Sequence, residues 1–200
     1  MNRILIATKN AGKVREFKQA LEAEGFEVLG MEQLSDQTEV EESGTTFEAN
    51  ARLKAEGYSS RTDAVVIADD SGIEVDALDG APGVHSARFG GDQLDDDGRN
   101  ALLLQKLEGV PEEERSARFR CVLALARGGE TIATFDGVIA GRINYSPVGK
   151  NGFGYDPLFF HPSSGCTTAE LSPEAKRKVS HRGKAIASLV AAIRGGELKL

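Results

Sequence analysis

The sequence predicts an α/β fold in which a long mixed β-sheet is flanked by helices. Two observations carry this prediction. The chain opens with a short apolar strand, a polar turn, an amphipathic helix and a second apolar strand, which is typical of the start of an α/β domain. Further along, two runs of alternating apolar and polar residues flank Gly128-Gly129, which indicates a β-hairpin.

The individual elements follow from apolar spacing and from capping residues. In the first half, strands are predicted over 3–7, 26–29, 64–68 and 73–77, with helices after Lys13 and Thr45 and over 94–107. Thr45 and Glu48 form a capping box, and Asp69-Asp70-Ser71-Gly72 is expected to end the third strand. In the second half, the hairpin strands cover 119–125 and 131–143, a glycine-rich loop covers 151–157, and a short strand covers 158–160. Ser172 caps a short helix, and the last helix ends at Gly195.

Composition narrows the range of functions. The chain has 200 residues, of which 40% are hydrophobic and 28% charged, and no break in composition separates two domains, so residues 1–200 are expected to form a single domain. The net charge of −7 argues against nucleic acid as a partner, and the lack of a long apolar run argues against a membrane. The opening residues lack the apolar core of an export signal, and Cys121 and Cys166 are read as free thiols, so a cytoplasmic location is expected.

The segment from Thr8 to Lys13 is the first candidate for chemistry. It lies between a buried strand and a helix, where backbone N–H groups carry partial positive charge. Gly12 allows close approach of a ligand, and Lys9 and Lys13 add positive charge. The glycine spacing is not that of a Walker A loop. The segment is either a phosphate-binding turn or a polar turn with no ligand.

Acidic residues form a second candidate. Asp69 and Asp70 directly follow a buried strand, where ligands of α/β proteins collect, and paired carboxylates suit Mg²⁺ or can accept a proton from water. A solvated turn is the alternative. A separate acidic group, Glu39, Glu41 and Glu42, is relevant only if the fold brings it near Asp70.

Two further segments could bind a base. In the loop Gly152-Phe153-Gly154-Tyr155-Asp156-Pro157, an aromatic side chain between glycines could stack on a nucleobase, or the rings could be buried in a turn. His181 and Arg182, with Lys176 upstream, offer donors for a purine carbonyl or a phosphate, or they are exposed bases at a helix start. Together the four candidates make up the parts of a nucleotide site.

The order of these segments along nearly the whole chain resembles the inosine/xanthosine triphosphate pyrophosphatase family, the Ham1-like or RdgB-like house-cleaning enzymes. Two further segments belong to the same pattern, namely Phe47-Glu48-Ala49-Asn50-Ala51 and Gly80-Ala81-Pro82-Gly83. The resemblance implies a homodimer, two lobes with an active-site cleft between them, and hydrolysis of dITP, ITP and XTP to the monophosphate and pyrophosphate. It also implies one or more Mg²⁺ per subunit. One departure is Lys9, where many relatives have glycine.

The resemblance also implies roles for individual residues. Asp70 matches the general base, and Glu41 and Asp70 match the metal ligands. Lys54 and Asp69 support the phosphates and the metal. The implied substrate contacts are Thr8, Lys9, Asn10, Ala11, Gly12, Lys13, Ser71, Phe153, Gly154, Tyr155, Asp156, Lys176, His181 and Arg182, with Phe153 as the stacking ring.

Two alternatives stay open at this point. One is a Maf-like pyrophosphatase that acts on modified pyrimidine nucleotides, against which the aromatic loop and the His181-Arg182 pair argue. The other is a nucleotide-binding module without catalysis, which would not need Asp69-Asp70.

Overall fold

A computed structural model describes residues 3–200 of the chain; Met1 and Asn2 lie outside the described residues. The sheet has seven strands in the order β2-β1-β3-β4-β5-β6-β7. The strands are β1 (Arg3–Ile6), β2 (Glu27–Leu29), β3 (Val65–Val75), β4 (Ser116–Arg127), β5 (Glu130–Ile143), β6 (Phe159–His161) and β7 (Cys166–Thr167). Strand β1 pairs in parallel with β2 and β3, whereas β6 pairs antiparallel with β5 and β7. The prediction of a mixed sheet is therefore confirmed.

Five helices accompany the described strands. They are α1 (Ala11–Leu21), α2 (Phe47–Ser59), α3 (Asp96–Lys106), α4 (Pro173–Val179) and α5 (His181–Arg194). Asn10 caps α1, because its Oδ1 accepts hydrogen bonds from the backbone N–H groups of Gly12 and Lys13. Ser172 caps α4 as predicted, with Pro173 at the first helical position. None of the helices in residues 3–200 is long and apolar enough to cross a membrane.

The chain divides into two compact units. Unit 1 comprises residues 1–70, 121–137 and 182–200, and unit 2 comprises residues 71–120 and 138–181. The chain passes from one unit to the other within β3, β4 and β5, and again at the start of α5. These passages lie inside regular elements and not in linkers, which explains why no shift in composition marks them.

Each unit has its own hydrophobic core. In unit 1 the side chains of β1, β3 and β4 pack with α1 and α5, through buried residues such as Ile6, Phe17, Ile67, Leu123 and Leu189. In unit 2 the core includes Ile73, Leu103, Phe119, Tyr155 and Phe159. Helix α5 contributes Ile186 and Leu189 to the unit 1 core, with Val190 and Ile193 packed against it.

Two expectations about local structure are wrong. Asp69-Asp70-Ser71-Gly72 does not end the third strand, since β3 runs without interruption from Val65 to Val75. The carboxylates of Asp69 and Asp70 can stay in a buried strand because cationic side chains pair with them. Gly72 serves close packing and not a turn, because a Cβ there would overlap Ser86 and the Gly83 carbonyl. The cap of α2 is Thr46 and not Thr45: the Thr46 hydroxyl accepts from the N–H of Ala49 at 3.1 Å.

Candidate active site

The carboxylate of Asp69 lies at the centre of a buried charge network in unit 1. Its Oδ2 accepts from Arg182 Nε at 2.7 Å and from Cys121 Sγ at 3.1 Å, and its Oδ1 contacts Lys13 Nζ. Burial alone would raise the pKa of Asp69, but the charges of Arg182 and Lys13 outweigh it and hold the pKa well below its ordinary range. Asp69 is therefore a carboxylate that stays ionised and fixed.

Asp70 has a different environment, although it is the next residue in β3. Lys54 Nζ lies 3.0 Å from Asp70 Oδ1, 3.0 Å from the Asp69 carbonyl oxygen and 3.1 Å from Glu42 Oε2. Burial raises the pKa of Asp70, and the nearby carboxylates of Glu42 and Asp69 add to the rise, against the opposing charge of Lys54. The second oxygen, Oδ2, is buried and has no hydrogen-bond partner within residues 3–200. Asp70 thus presents one uncommitted carboxylate oxygen.

The acidic segment reaches this cluster through Glu42. The Glu42 side chain is half-buried and paired with Lys54, while Glu41, the residue expected to bind metal, is exposed. Glu39 pairs with Lys9 at the surface, with 2.6 Å between Lys9 Nζ and Glu39 Oε1. Nothing in the sequence shows whether Glu41 or Glu42 lies near Asp70, because two adjacent glutamates differ only in the direction in which the folded backbone orients their side chains.

Some backbone N–H groups of the turn from Thr8 to Lys13 are already hydrogen-bonded in the cap of helix α1. The N–H groups of Gly12 and Lys13 donate to Asn10 Oδ1 at 2.9 and 3.1 Å, and the Asn10 N–H donates to the Thr8 hydroxyl at 3.2 Å. The positive potential of this turn therefore comes from the helix dipole and from the Lys13 ammonium.

In unit 2 the glycine-rich loop is held by the carboxylate of Asp156, which is 3% exposed. Its Oδ2 accepts from the Phe153 N–H at 2.8 Å and contacts Lys176 Nζ, and its Oδ1 accepts from the Thr168 hydroxyl at 2.8 Å. Gly152 has φ of +81°, and a Cβ there would overlap the Asp156 carboxylate, so only glycine fits. The contacts of the buried Asp156 carboxylate therefore fix the conformation of the loop.

The aromatic side chains of this loop differ in exposure. Tyr155 is buried, and its hydroxyl donates to the Ser86 carbonyl oxygen at 2.8 Å. Phe153 is 36% exposed, and Lys176 Nζ lies 4.8 Å from its ring centroid. Phe153 is therefore the aromatic ring of the loop that a ligand can reach.

The remaining predicted donors are buried. His181 is 7% exposed and stacks on Phe119 with ring centroids 4.8 Å apart and planes inclined by 14°. Arg182 is 3% exposed and pairs with Asp69 and, at 3.2 Å, with Glu16. Ser71 is half-buried in β3. His181 and Arg182 both lie in the first turn of α5, so the alternative of a helix start is right, but the expected exposure of these bases is wrong.

Sequence reasoning missed several residues that take part in these contacts. They are Glu16, Cys121 in its contact with Asp69, and Thr168. Asp96 and Asn100, which form hydrogen bonds with the backbone of Gly154 in the loop, were also missed. The period-two alternation around Cys121 indicated that it is buried, but nothing in the sequence indicated which carboxylate it meets.

No group of three or more His, Cys, Asp and Glu side chains within residues 3–200 is arranged to hold a metal ion on its own. Asp70, with its uncommitted Oδ2, and the neighbouring Glu42 offer one or two carboxylates. This donor set fits Mg²⁺, which proteins commonly bind through one or two carboxylates together with water and phosphate oxygens.

A mixed sheet that carries a buried aspartate pair, neutralised by two lysines and an arginine, defines an α/β protein with a buried cluster of paired charges in its central strand. Residues 4–192 match the model of the Ham1 family, and the chain belongs to that family.

Relatives and solved structures agree with this membership. The chain is 54% identical to a dITP/XTP pyrophosphatase of an Exiguobacterium species, over 96% of each chain. It is 49% identical to the dITP/XTP pyrophosphatase of Bacillus licheniformis, over 96% of this chain and 97% of the relative. A Ham1 protein from Coxiella burnetii superposes with a TM-score of 0.91 at 38% identity, covering 98% of this chain and 100% of that chain.

Proposed function

We propose that this protein hydrolyses non-standard purine nucleoside triphosphates, namely dITP, ITP and XTP, to the monophosphate and pyrophosphate, and so removes them from the nucleotide pool. The observation that carries the proposal is the cluster around Asp69 and Asp70, in which Lys13 pairs with Asp69, Lys54 pairs with Asp70, and one oxygen of Asp70 is uncommitted. The names of the matched relatives support the choice of substrate. In the reaction, water adds across the anhydride bond between the α- and β-phosphates.

Positive groups of unit 1 are proposed to hold the triphosphate. Lys13 and Lys54 carry the charge, and the turn from Thr8 through Lys9, Asn10, Ala11 and Gly12 surrounds the start of α1, where the helix dipole favours anions. Both lysines are paired with carboxylates, so they contribute to phosphate binding without leaving the protein with uncompensated buried charge.

Asp70 and Glu41 are the proposed Mg²⁺ ligands, with Glu42 beside them. When bound, the cation neutralises phosphate charge and polarises the phosphoryl oxygens. Its binding is supported by the carboxylates of Asp70 and Glu42, which both contact Lys54, and by the uncommitted Asp70 Oδ2.

Asp70 is also the proposed proton acceptor. Its pKa is raised by burial, which brings the carboxylate closer to the range in which it can take a proton from water, and its Oδ2 is not engaged by another residue of the described chain. Asp69 suits this role less, because its pKa is well below the ordinary value and three side chains occupy its oxygens. Asp69 instead orients Lys13.

The loop of unit 2 is proposed to hold the purine. Lys176 lies over one face of the Phe153 ring, so the base would stack on the other face. Gly154, Tyr155, Asp156 and Lys176 shape this position, and Ser71, His181 and Arg182 are proposed substrate contacts. Hypoxanthine and xanthine carry a carbonyl at C6 where adenine carries an amine, and a site that donates hydrogen bonds there rejects adenine.

The homodimer and the cytoplasmic location remain further parts of the proposal. The family resemblance supports the first, and the free thiols of Cys121 and Cys166 support the second. Light scattering after size-exclusion chromatography measures the first: a mass of twice 21.3 kDa supports the dimer, and a mass of 21.3 kDa contradicts it.

A substrate panel tests the proposed reaction. The pure protein is incubated with ITP, XTP, GTP, ATP and a modified pyrimidine triphosphate, with and without Mg²⁺, and pyrophosphate and orthophosphate are measured separately. We expect Mg²⁺-dependent pyrophosphate from ITP and XTP and little from the others. For GTP this requires exclusion at C2, because guanine shares the C6 carbonyl. Orthophosphate as the first product would contradict the cleavage position. Preference for the pyrimidine would favour a Maf-like activity, and no turnover would favour a binding module.

A further inference from the structure

Two side chains of helix α3 hold the peptide groups on either side of Gly154 in the loop that carries Phe153. The Gly154 N–H donates to Asp96 Oδ2 at 2.7 Å, and the Gly154 carbonyl oxygen accepts from Asn100 Nδ2 at 3.0 Å. Asp96 and Asn100 are four residues apart in α3, so they lie on the same face of the helix. Both the donor and the acceptor of this glycine are thus tied to one rigid element.

Asp96 is itself held in place. Its other oxygen, Oδ1, accepts from Arg99 Nη2 at 2.7 Å, and Arg99 Nη1 also contacts the Leu94 carbonyl oxygen. Burial would raise the pKa of Asp96, but the hydrogen bonds from Arg99 and the Gly154 N–H outweigh it and lower the pKa. Asp96 is therefore an ionised, oriented acceptor for the loop.

Asn100 is 5% exposed, and its Oδ1 is buried without a hydrogen-bond partner in the part of the chain that the structure describes. A buried acceptor without a hydrogen-bond partner costs stability. An apolar residue would avoid this cost but would leave the Gly154 carbonyl oxygen without its donor. The hydrogen bond to Gly154 is a reason for asparagine at this position.

The loop needs such restraint because of its own sequence. Gly152 and Gly154 on either side of Phe153 have φ of +81° and +61°, conformations that glycine adopts freely among many others. A chain with this freedom loses conformational entropy each time it orders on a ligand, and restraint before binding reduces that loss.

We propose that Asp96 and Asn100 are positioning residues which, by holding the peptide groups of Gly154, set the orientation of Phe153 and thereby the affinity for the purine base. This inference rests on the proposed role of the loop in base binding. Neither residue needs to touch the substrate.

The test compares Asp96→Ala and Asn100→Ala with Asp97→Ala. Asp97 is a matched control because it lies in the same first turn of α3 and carries the same charge but is exposed. Asp96→Asn is the conservative variant, since its side-chain oxygen can still accept from Gly154. Three quantities are measured: amide hydrogen exchange of residues 150–157, KM for ITP, and the inhibition constant of inorganic tripolyphosphate, which has no base.

In Asp96→Ala and Asn100→Ala we expect faster exchange in residues 150–157 and a KM for ITP raised about tenfold, which corresponds to about 1.4 kcal/mol. The inhibition constant of tripolyphosphate should stay within about twofold of that of the unaltered protein. Asp97→Ala should leave all three quantities unchanged. Asp96→Asn should give exchange rates and a KM between those of Asp97→Ala and Asp96→Ala. Exchange equal to that of Asp97→Ala would overturn the inference, as would an inhibition constant that rises as much as KM. If the unaltered protein does not hydrolyse ITP, the proposed function fails, whereas the exchange measurement still decides whether Asp96 and Asn100 order the loop.

Discussion

The two units hold their functional side chains by different means. In unit 1, Asp69 and Asp70 lie in the middle of a buried strand, and cationic side chains from α1, α2 and α5 neutralise them. In unit 2, Phe153 lies in a loop between two glycines, and hydrogen bonds to the loop backbone hold it in place. Charge pairing governs the first group, and backbone restraint governs the second.

This difference separates two tasks. A network of buried charges is rigid, and removing one member leaves another uncompensated, so its residues affect stability as well as chemistry. A restrained loop can change its ring or its tethers with little effect on the core, so its residues affect affinity and selectivity. Substitutions in each unit test whether this division holds.

Replacement of Asp70 by Asn is expected to lower kcat for ITP by about 10²–10⁴, because the uncommitted oxygen can no longer accept a proton. The side chain keeps its size and Lys54 keeps Glu42 as a charged partner, so the urea midpoint of unfolding should change little. Steady-state pyrophosphate release at saturating Mg²⁺ measures the rate. Glu41→Gln provides a comparison: if it lowers kcat as much as Asp70→Asn at saturating Mg²⁺, a special role for Asp70 in proton transfer is contradicted.

Replacement of Arg182 by Ala is expected to destabilise the protein by about 3 kcal/mol, because it removes a buried partner of Asp69 and Glu16. Urea unfolding measures the loss. Arg194→Ala is the matched control, since Arg194 lies in the same helix and pairs with Glu24 but is exposed. Equal midpoints for the two variants would show that the unit 1 network does not stabilise the fold. Unchanged ITP turnover in Arg182→Ala would contradict the proposed contact of Arg182 with substrate.

Replacement of Phe153 by Ala is expected to raise KM for ITP by about 5–150-fold, which corresponds to the loss of about 1–3 kcal/mol of stacking. The ring is partly exposed, so unfolding should be nearly unaffected. Phe153→Tyr keeps an aromatic face and should retain the KM of the unaltered protein. An unchanged KM for ITP in Phe153→Ala would contradict base stacking on this ring, and with it the proposed difference between the two units.

Replacement of Thr168 by Val is expected to have the smallest effect. It removes the hydroxyl that donates to Asp156 Oδ1 but keeps the shape of the side chain, so stability should fall by about 1–1.5 kcal/mol, with a modest rise in KM. Urea unfolding and ITP kinetics measure both quantities. Thr167→Val, a change of the same type at the adjacent position, removes a hydroxyl that contacts Glu170 and the Val148 carbonyl oxygen. A KM that rises only in the Thr167 variant would contradict the role of Thr168 in shaping the loop.

Much of the fold was accessible from the sequence because local patterns dictate it. The apolar spacing of Val14, Phe17 and Leu21 indicated α1, the two glycines at 128 and 129 indicated the hairpin, and Ser172 with Pro173 indicated the start of α4. The strand break expected at Asp69 was wrong, because the neutralisation of a buried carboxylate depends on residues far along the chain.

The candidate site divides in the same way. The types and order of its residues, including Lys13, Asp70 and Phe153, could be read from the sequence and its family resemblance. The choice between Glu41 and Glu42 as the neighbour of Lys54 could not, and neither could the tethering of Gly154 by Asp96 and Asn100. Each of these depends on which side chains the fold brings within hydrogen-bonding distance.

The α/β class, the start of α4, the end of α5 and the chemical types available for a nucleotide site follow from the amino-acid sequence alone, because apolar periodicity, capping and residue chemistry are local properties. The tertiary structure decided that Asp69 is fixed by Arg182 and Lys13 while Asp70 keeps an uncommitted oxygen. It also decided that Phe153 alone of the loop's two aromatic rings is accessible. Burial and the pairing of charges depend on contacts between residues distant in the chain, and these contacts exist only once the chain has folded.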